Sequence, residues 1–92
     1  MARTVTLKRS AEASLCKLPK NIQRRIAGKI DMLSSSPGVA GEERVRDSDG
    51  LYRIRVGDYR IAYFRDATSV QIVLIGDRKD IYKALKAAGY VR

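Results

Sequence analysis

The sequence predicts an α+β fold. An N-terminal strand and a helical hairpin pack on one face of a curved, mainly antiparallel four-stranded sheet, with a short C-terminal helix. Three observations carry this prediction. Apolar residues recur at helical spacing up to Leu33, residues 51–66 alternate about Gly57-Asp58, and Val70–Ile75 is a nearly unbroken apolar run.

The elements follow in chain order. Thr4–Leu7 alternates weakly and predicts a short edge strand. Ser10 is a candidate N-cap for a first helix whose Ala11, Leu15 and Leu18 fall at i, i+4 and i+7. Pro19 ends that helix and suits the first turn of the next. In the second helix Ile22, Ile26, Ile30 and Leu33 form one stripe, and Arg24, Arg25 and Lys29 lie off it. Ser34 to Gly38, containing Pro37, stops it. Glu42–Arg46 reads as a short strand or as loop, and Asp47–Gly50 as a turn. The run Val70–Ile75 predicts a central strand covered on both sides, and the segment after Gly76 a polar turn leading into a brief helix.

The hairpin is the most informative stretch. A two-residue turn at Gly57-Asp58 sets Val56 opposite Tyr59, Arg55 opposite Arg60, Ile54 opposite Ile61, Arg53 opposite Ala62 and Tyr52 opposite Tyr63. Tyr52, Ile54, Val56, Tyr59, Ile61 and Tyr63 then share one face, which must be the core under the helices. Arg53, Arg55 and Arg60 share the other. Two arginines directly opposed on a ladder repel, so this face is expected to serve a function, with a phosphate backbone between the guanidinium groups. Arg78, Lys79 and Tyr82, just beyond the last strand, are expected to reach the same surface. If repulsion dominates, Arg55→Ala and Arg60→Ala leave stability unchanged or raise it.

Composition narrows the functional classes. The 92 residues carry 19 Lys and Arg against 10 Asp and Glu, a net charge of +9, which attracts a polyanion. The absence of histidine rules out histidine general-base chemistry and catalytic triads, and no cofactor or metal is expected. Cys16 is the single cysteine and is expected to be a small core residue, with no disulfide framework. No apolar run has the length of a membrane span and no signal peptide is visible, so a cytoplasmic protein of one domain, residues 1–92, is expected.

The segments LYRIRVGDYRIAYFRD, VQIVLIGDRKDIYKAL and LPKNIQRRIAGKI together resemble the RelE/ParE toxin superfamily of type II toxin–antitoxin pairs. RelE-like members are ribosome-dependent endoribonucleases that cut mRNA in the A site, whereas ParE-like members poison DNA gyrase on the same fold. The resemblance implies an mRNA interferase acting by metal-free 2′-hydroxyl attack, with a ParE-like gyrase inhibitor without nuclease activity as the alternative. It further implies a cognate RelB-like antitoxin, the ribosome and mRNA as partners, and operator DNA reached only through the antitoxin. The implied catalytic residues are Arg53, Arg55, Arg60, Arg78 and Tyr82, and Arg24, Arg25, Lys29 and Lys79 are the implied RNA and ribosome contacts. Asp77 stands where many relatives have histidine, as a base or as an orienting partner of Arg78.

Overall fold

Strand pairing around Gly57-Asp58 follows the alternation of the sequence. The computed structural model describes residues 3–35 and 41–92, and in it β3 (Leu51–Val56) and β4 (Tyr59–Arg65) pair antiparallel with Arg55 opposite Arg60 and Tyr52 opposite Tyr63. Gly57 takes φ 60° and Asp58 a negative φ, the pattern of a type II′ turn that needs glycine first. β5 (Ser69–Asp77) pairs antiparallel with β4 on its other edge, and β1 (Thr4–Leu7) adds to β5 in parallel. A two-residue strand β2 (Glu43–Arg44) closes the far edge against β3. The sheet thus has five strands in the order β1-β5-β4-β3-β2, one more than expected, because Glu43 and Arg44 of the 42–46 segment pair with Arg53 and Tyr52.

Helices α1 (Arg9–Cys16) and α2 (Lys20–Ser35) cover the face that holds the hairpin's tyrosines and isoleucines. Ala11, Ile26 and Leu33 pack there with Ile54, Val56, Ile61, Tyr63, Val70, Ile72 and Ile75, and Leu15, Leu18, Ile22 and Ile30 flank them. Burial of each large aliphatic side chain contributes about 1.5–3 kcal/mol, so this layer is the main source of cohesion. Two expectations for α1 fail. The N-cap is Lys8, and Ser10 lies inside the helix with its hydroxyl donating to the Val73 carbonyl at 2.8 Å. Cys16 is exposed, because α1 ends there and turns away from the sheet before Leu18 packs down. The Pro37 stop of α2 lies outside the described residues.

The opposite face is not wholly open. Helix α3 (Ile81–Ala87) and the tail behind it lay Ile81, Leu85, Tyr90 and Val91 over Leu51, Ala62, Val73 and Phe64. A bulge in β5 makes this possible: Ala62 pairs with Leu74 and Tyr63 with Ile72, so Val73 is an extra residue and faces the second cluster. Apart from exposed Gln71 the run Val70–Ile75 is apolar because the strand is covered on both sides. The tail turns back through Gly89 (φ 84°), where the Tyr90 N–H donates to the Leu85 carbonyl and the Gly89 N–H to that of Lys86, a Schellman motif. Among the described residues no helix is long and apolar enough to cross a membrane.

At the edge away from the hairpin turn, Glu42 points under the helices. Its carboxylate receives Arg65 Nε and Nη2 at 2.9 and 2.8 Å and the Tyr63 hydroxyl. The Arg65 guanidinium also lies 4.2 Å from the Tyr52 ring centroid, and that ring stacks on Tyr63. Burial alone would raise the Glu42 carboxyl, but the hydrogen bonds from Arg65 and Tyr63 and the charges of Arg65 and Arg3 hold it below the usual carboxylate value of 4.5. A depressed carboxylate stabilises the fold above its unfolded value and loses that contribution as pH falls through its folded one. Exposed Asp66, depressed by the Thr68 and Ser69 backbone N–H groups, acts in the same direction. Melting curves from neutral pH down to about pH 3 should therefore show stability falling below about 4.5. Glu42→Gln should shallow that acid limb and lower neutral-pH stability by about 1–3 kcal/mol.

Candidate functional site

Two backbone features bring the cations together. The antiparallel register sets Arg60 opposite both Arg55 and Gly76, and the Arg78 N–H donates to the Asp58 carbonyl at 2.8 Å. The chain leaving β5 is thereby tied to the hairpin turn. Arg53, Arg55, Arg60, Arg78 and Lys79 line one cleft of about 400 Å³, completed by Gly41, Glu43 and Ile81. Of the implied site residues, four arginines and Lys79 converge.

The opposed arginines avoid one another by unequal means. Arg60 folds back on its own turn and donates through Nη1 to the Gly57 and Tyr59 carbonyls at 3.1 and 3.0 Å. The Arg55 side chain is exposed and forms no hydrogen bond or ion pair among the described residues, and the same holds for the side chains of Arg78 and Lys79. The cleft therefore presents three uncommitted cations. Arg53 is committed: it donates to Tyr82 Oη at 2.6 Å and to Glu43 Oε2 at 3.0 Å, with its guanidinium 5.1 Å from the Tyr82 ring centroid.

Tyr82 does not line the arginine cleft. It stands beyond Arg53, 40% exposed, in a neighbouring groove of about 690 Å³. Helix α3 starts after the Asp77–Asp80 turn and carries Tyr82 past the cleft mouth. Asp77 is engaged elsewhere, its Oδ1 accepting from the Lys79 N–H at 2.7 Å, so it shapes the turn and does not touch the Arg78 guanidinium. Arg24, Arg25 and Lys29 sit on α2, on the other face of the sheet, and none lines the cleft. The Arg25 guanidinium reaches the hairpin turn, where a Cβ on Gly57 would stand 3.2 Å from its Nη2.

Sequence reasoning missed Glu43. It is the one carboxylate in the cleft lining, and its side chain is 66% exposed. Its signal was the pair Glu42-Glu43 where the short strand begins: successive residues of extended backbone face opposite ways, so one carboxylate meets Arg65 beneath the helices and the other meets Arg53.

The sequence model of the ParE toxin of type II toxin–antitoxin systems (parDE) matches residues 5–82. The chain belongs to this toxin family. Solved structures of RelE/ParE toxins share its fold. A chain of the toxin–antitoxin complex RelBE2 from Mycobacterium tuberculosis is 28% identical at a TM-score of 0.74, covering 85% of this chain and 100% of that one. The RelE–RelB complex of Pyrococcus horikoshii gives 28% identity and a TM-score of 0.70 over 85% of this chain and 97% of its match. The RelB–RelE complex of Methanococcus jannaschii gives 25% and 0.70, over 85% and 95%. No curated protein matches the chain. In this RelE/ParE toxin the five-cation cleft borders the apolar cluster under α3 through Ile81, which belongs to both.

The unequal contacts of the arginine pair correct the symmetric expectation for its variants. Arg55→Ala should leave the melting temperature unchanged or slightly raised, since relief of a like-charge pair is worth only tenths of about 1 kcal/mol. Arg60→Ala gives up two carbonyl contacts at the turn and should cost about 1 kcal/mol. Ile54→Ala, on the buried face, should cost about 2–5 kcal/mol. Thermal or urea melts of the three variants check the order; an Arg55→Ala loss as large as that of Ile54→Ala would show that Arg55 is structural.

Proposed function

We propose that this toxin cuts mRNA on the ribosome, by attack of a 2′-hydroxyl on the adjacent phosphate without a metal ion. The observation that supports this reading is the cleft in which three uncommitted cations surround a single carboxylate. Arg55, Arg78 and Lys79 receive the scissile phosphate, and preorganised guanidinium groups stabilise charge that grows on its oxygens in the transition state. Arg60 joins them by releasing the Gly57 and Tyr59 carbonyls. The proton of the attacking hydroxyl needs an acceptor, which arginine is not at any ordinary pH. Glu43 is that acceptor, and Arg53 holds it in place.

The atoms balance simply. The 2′-oxygen bonds to phosphorus as its proton passes to the Glu43 carboxylate. The bond from phosphorus to the 5′-oxygen breaks, leaving a 2′,3′-cyclic phosphate; the departing oxygen takes a proton from water, and the proton held by Glu43 neutralises the hydroxide that remains. Tyr82, at the cleft margin, stacks on a neighbouring base. Because the protein supplies charge but little substrate alignment, the ribosome provides the in-line geometry. Arg24, Arg25 and Lys29, on the far face, contact ribosomal RNA backbone. The RelB–RelE complexes among its structural neighbours support an antitoxin as the toxin's partner, and with +9 on the toxin that antitoxin is acidic and the pair salt-sensitive.

The match to the ParE family favours a second reading, inhibition of DNA gyrase without cleavage. One paired assay separates them. Incubation with translating ribosomes should yield mRNA fragments ending in cyclic phosphate, with little cutting of naked RNA and no effect on gyrase supercoiling. Arg78→Ala should lower the cleavage rate about 10²–10³-fold, the size of one lost transition-state donor. Glu43→Gln should lower the cleavage rate about 10²-fold or more, the size of a lost general base. Gyrase inhibition without fragments would establish the ParE reading.

A further inference from the structure

The arginine cleft does not end at Arg53. That side chain lines both the cleft and the groove of about 690 Å³ beyond it, so the two cavities share a wall. Lys83 and Lys86, three residues apart on one face of α3, form one side of the groove, with Arg46 and Arg92 among its other lining residues. Asp47 is the one carboxylate in its lining, and Arg92 is partly neutralised by Asp49 at 3.2 Å. Tyr82 stands at the junction, with the Arg53 guanidinium on its ring.

We infer that this second groove is the track for single-stranded RNA running on from the cut. The chemistry matches a nucleotide chain in both its parts. Lysine and arginine ammonium and guanidinium groups follow the phosphates, and the exposed tyrosine at the junction offers a π-face to a base, the combination that binds single strands without reading their sequence. An acidic peptide would use the cations but leave the ring without a flat partner. The two cavities together extend well past the room a lone phosphate needs, so the strand remains in contact with cations on leaving the cleft. This inference rests on the RNA-cleaving reading above, and it is tested by binding alone so that the two can fail separately.

The probes are 2′-O-methyl RNA oligonucleotides, which cannot be cut: a dinucleotide, sized for the cleft, and an octanucleotide that reaches through the groove. Affinities are measured across a salt series with the full-length protein. The octanucleotide should bind at least about tenfold more tightly, with a steeper salt dependence. The double variant Lys83→Gln/Lys86→Gln should lose that advantage and reduce the slope of log K against log salt by roughly 1–1.5, two phosphate contacts' worth. Lys17→Gln/Lys20→Gln, which removes the same charge from the first helical hairpin, should keep the advantage. Equal loss in both double variants would reduce the effect to net charge and overturn the inference. So would an octanucleotide no tighter than the dinucleotide, or an oligoglutamate of matched charge that binds the groove as tightly as the RNA. Octanucleotide binding as expected from a protein that cuts nothing on ribosomes would retain the track and remove the nuclease reading.

Discussion

The structure depends on the two-residue turn at Gly57-Asp58. Glycine accepts the positive φ that brings β3 and β4 into register, and the period of two then does the rest. Shifting the register by one residue would turn Ile54, Ile61 and Tyr63 out to solvent and bring the arginines beneath the helices. Apolar burial on one face therefore forces the guanidinium groups together on the other. Their mutual repulsion is small beside the several kilocalories per mole gained below, and Arg60 reduces it further by capping its own turn.

A second constraint acts through β2. The strand is only two residues long and lies at an edge, so its ladder hydrogen bonds do little to hold it. What anchors it is Glu42, whose side chain is 12% exposed and bonded to both Arg65 and Tyr63. This network pushes the Tyr63 hydroxyl up, by burial first and by its bond to Glu42 second, and raises Arg65 through the same carboxylate, so the pair stays charged and the phenol neutral. The adjacent Glu43 inherits its place in the cleft from that anchor. A buried anchor on one side of the sheet and a cleft-lining carboxylate on the other thus come from consecutive residues.

The charge distribution is consistent with a protein made to meet a polyanion. Arg55, Arg78 and Lys79 have no anionic partner among the described residues, and the neighbouring groove continues the cationic surface. Helix α3 and the tail carry part of that surface, and they are held to the sheet by Ile81, Leu85 and Tyr90, with the Tyr90 hydroxyl accepting from Lys8 Nζ at 2.9 Å. Packing of the C-terminal segment and presentation of Tyr82, Lys83 and Lys86 are therefore one problem.

By itself the sequence determined the α+β class, the hairpin register, the helical stripe from Ile22 to Leu33, and the gathering of Arg53, Arg55 and Arg60 on one face. All of these are consequences of local periodicity, which needs only neighbours in the chain. The toxin family was legible too, since its motifs lie on those same elements. Tertiary structure decided the remainder. Glu42 and Glu43 acquire their partners from residues 23 and 10 positions away. Ser10 is not the cap because α1 already starts at Arg9, and its hydroxyl donates across to the bulged Val73 carbonyl. Tyr82 misses the cleft and Cys16 misses the core because of where α3 and α1 begin and end, not because of residue type. Pairings across the sheet depend on how edges and helix ends dock, and no pattern within a single segment encodes that geometry.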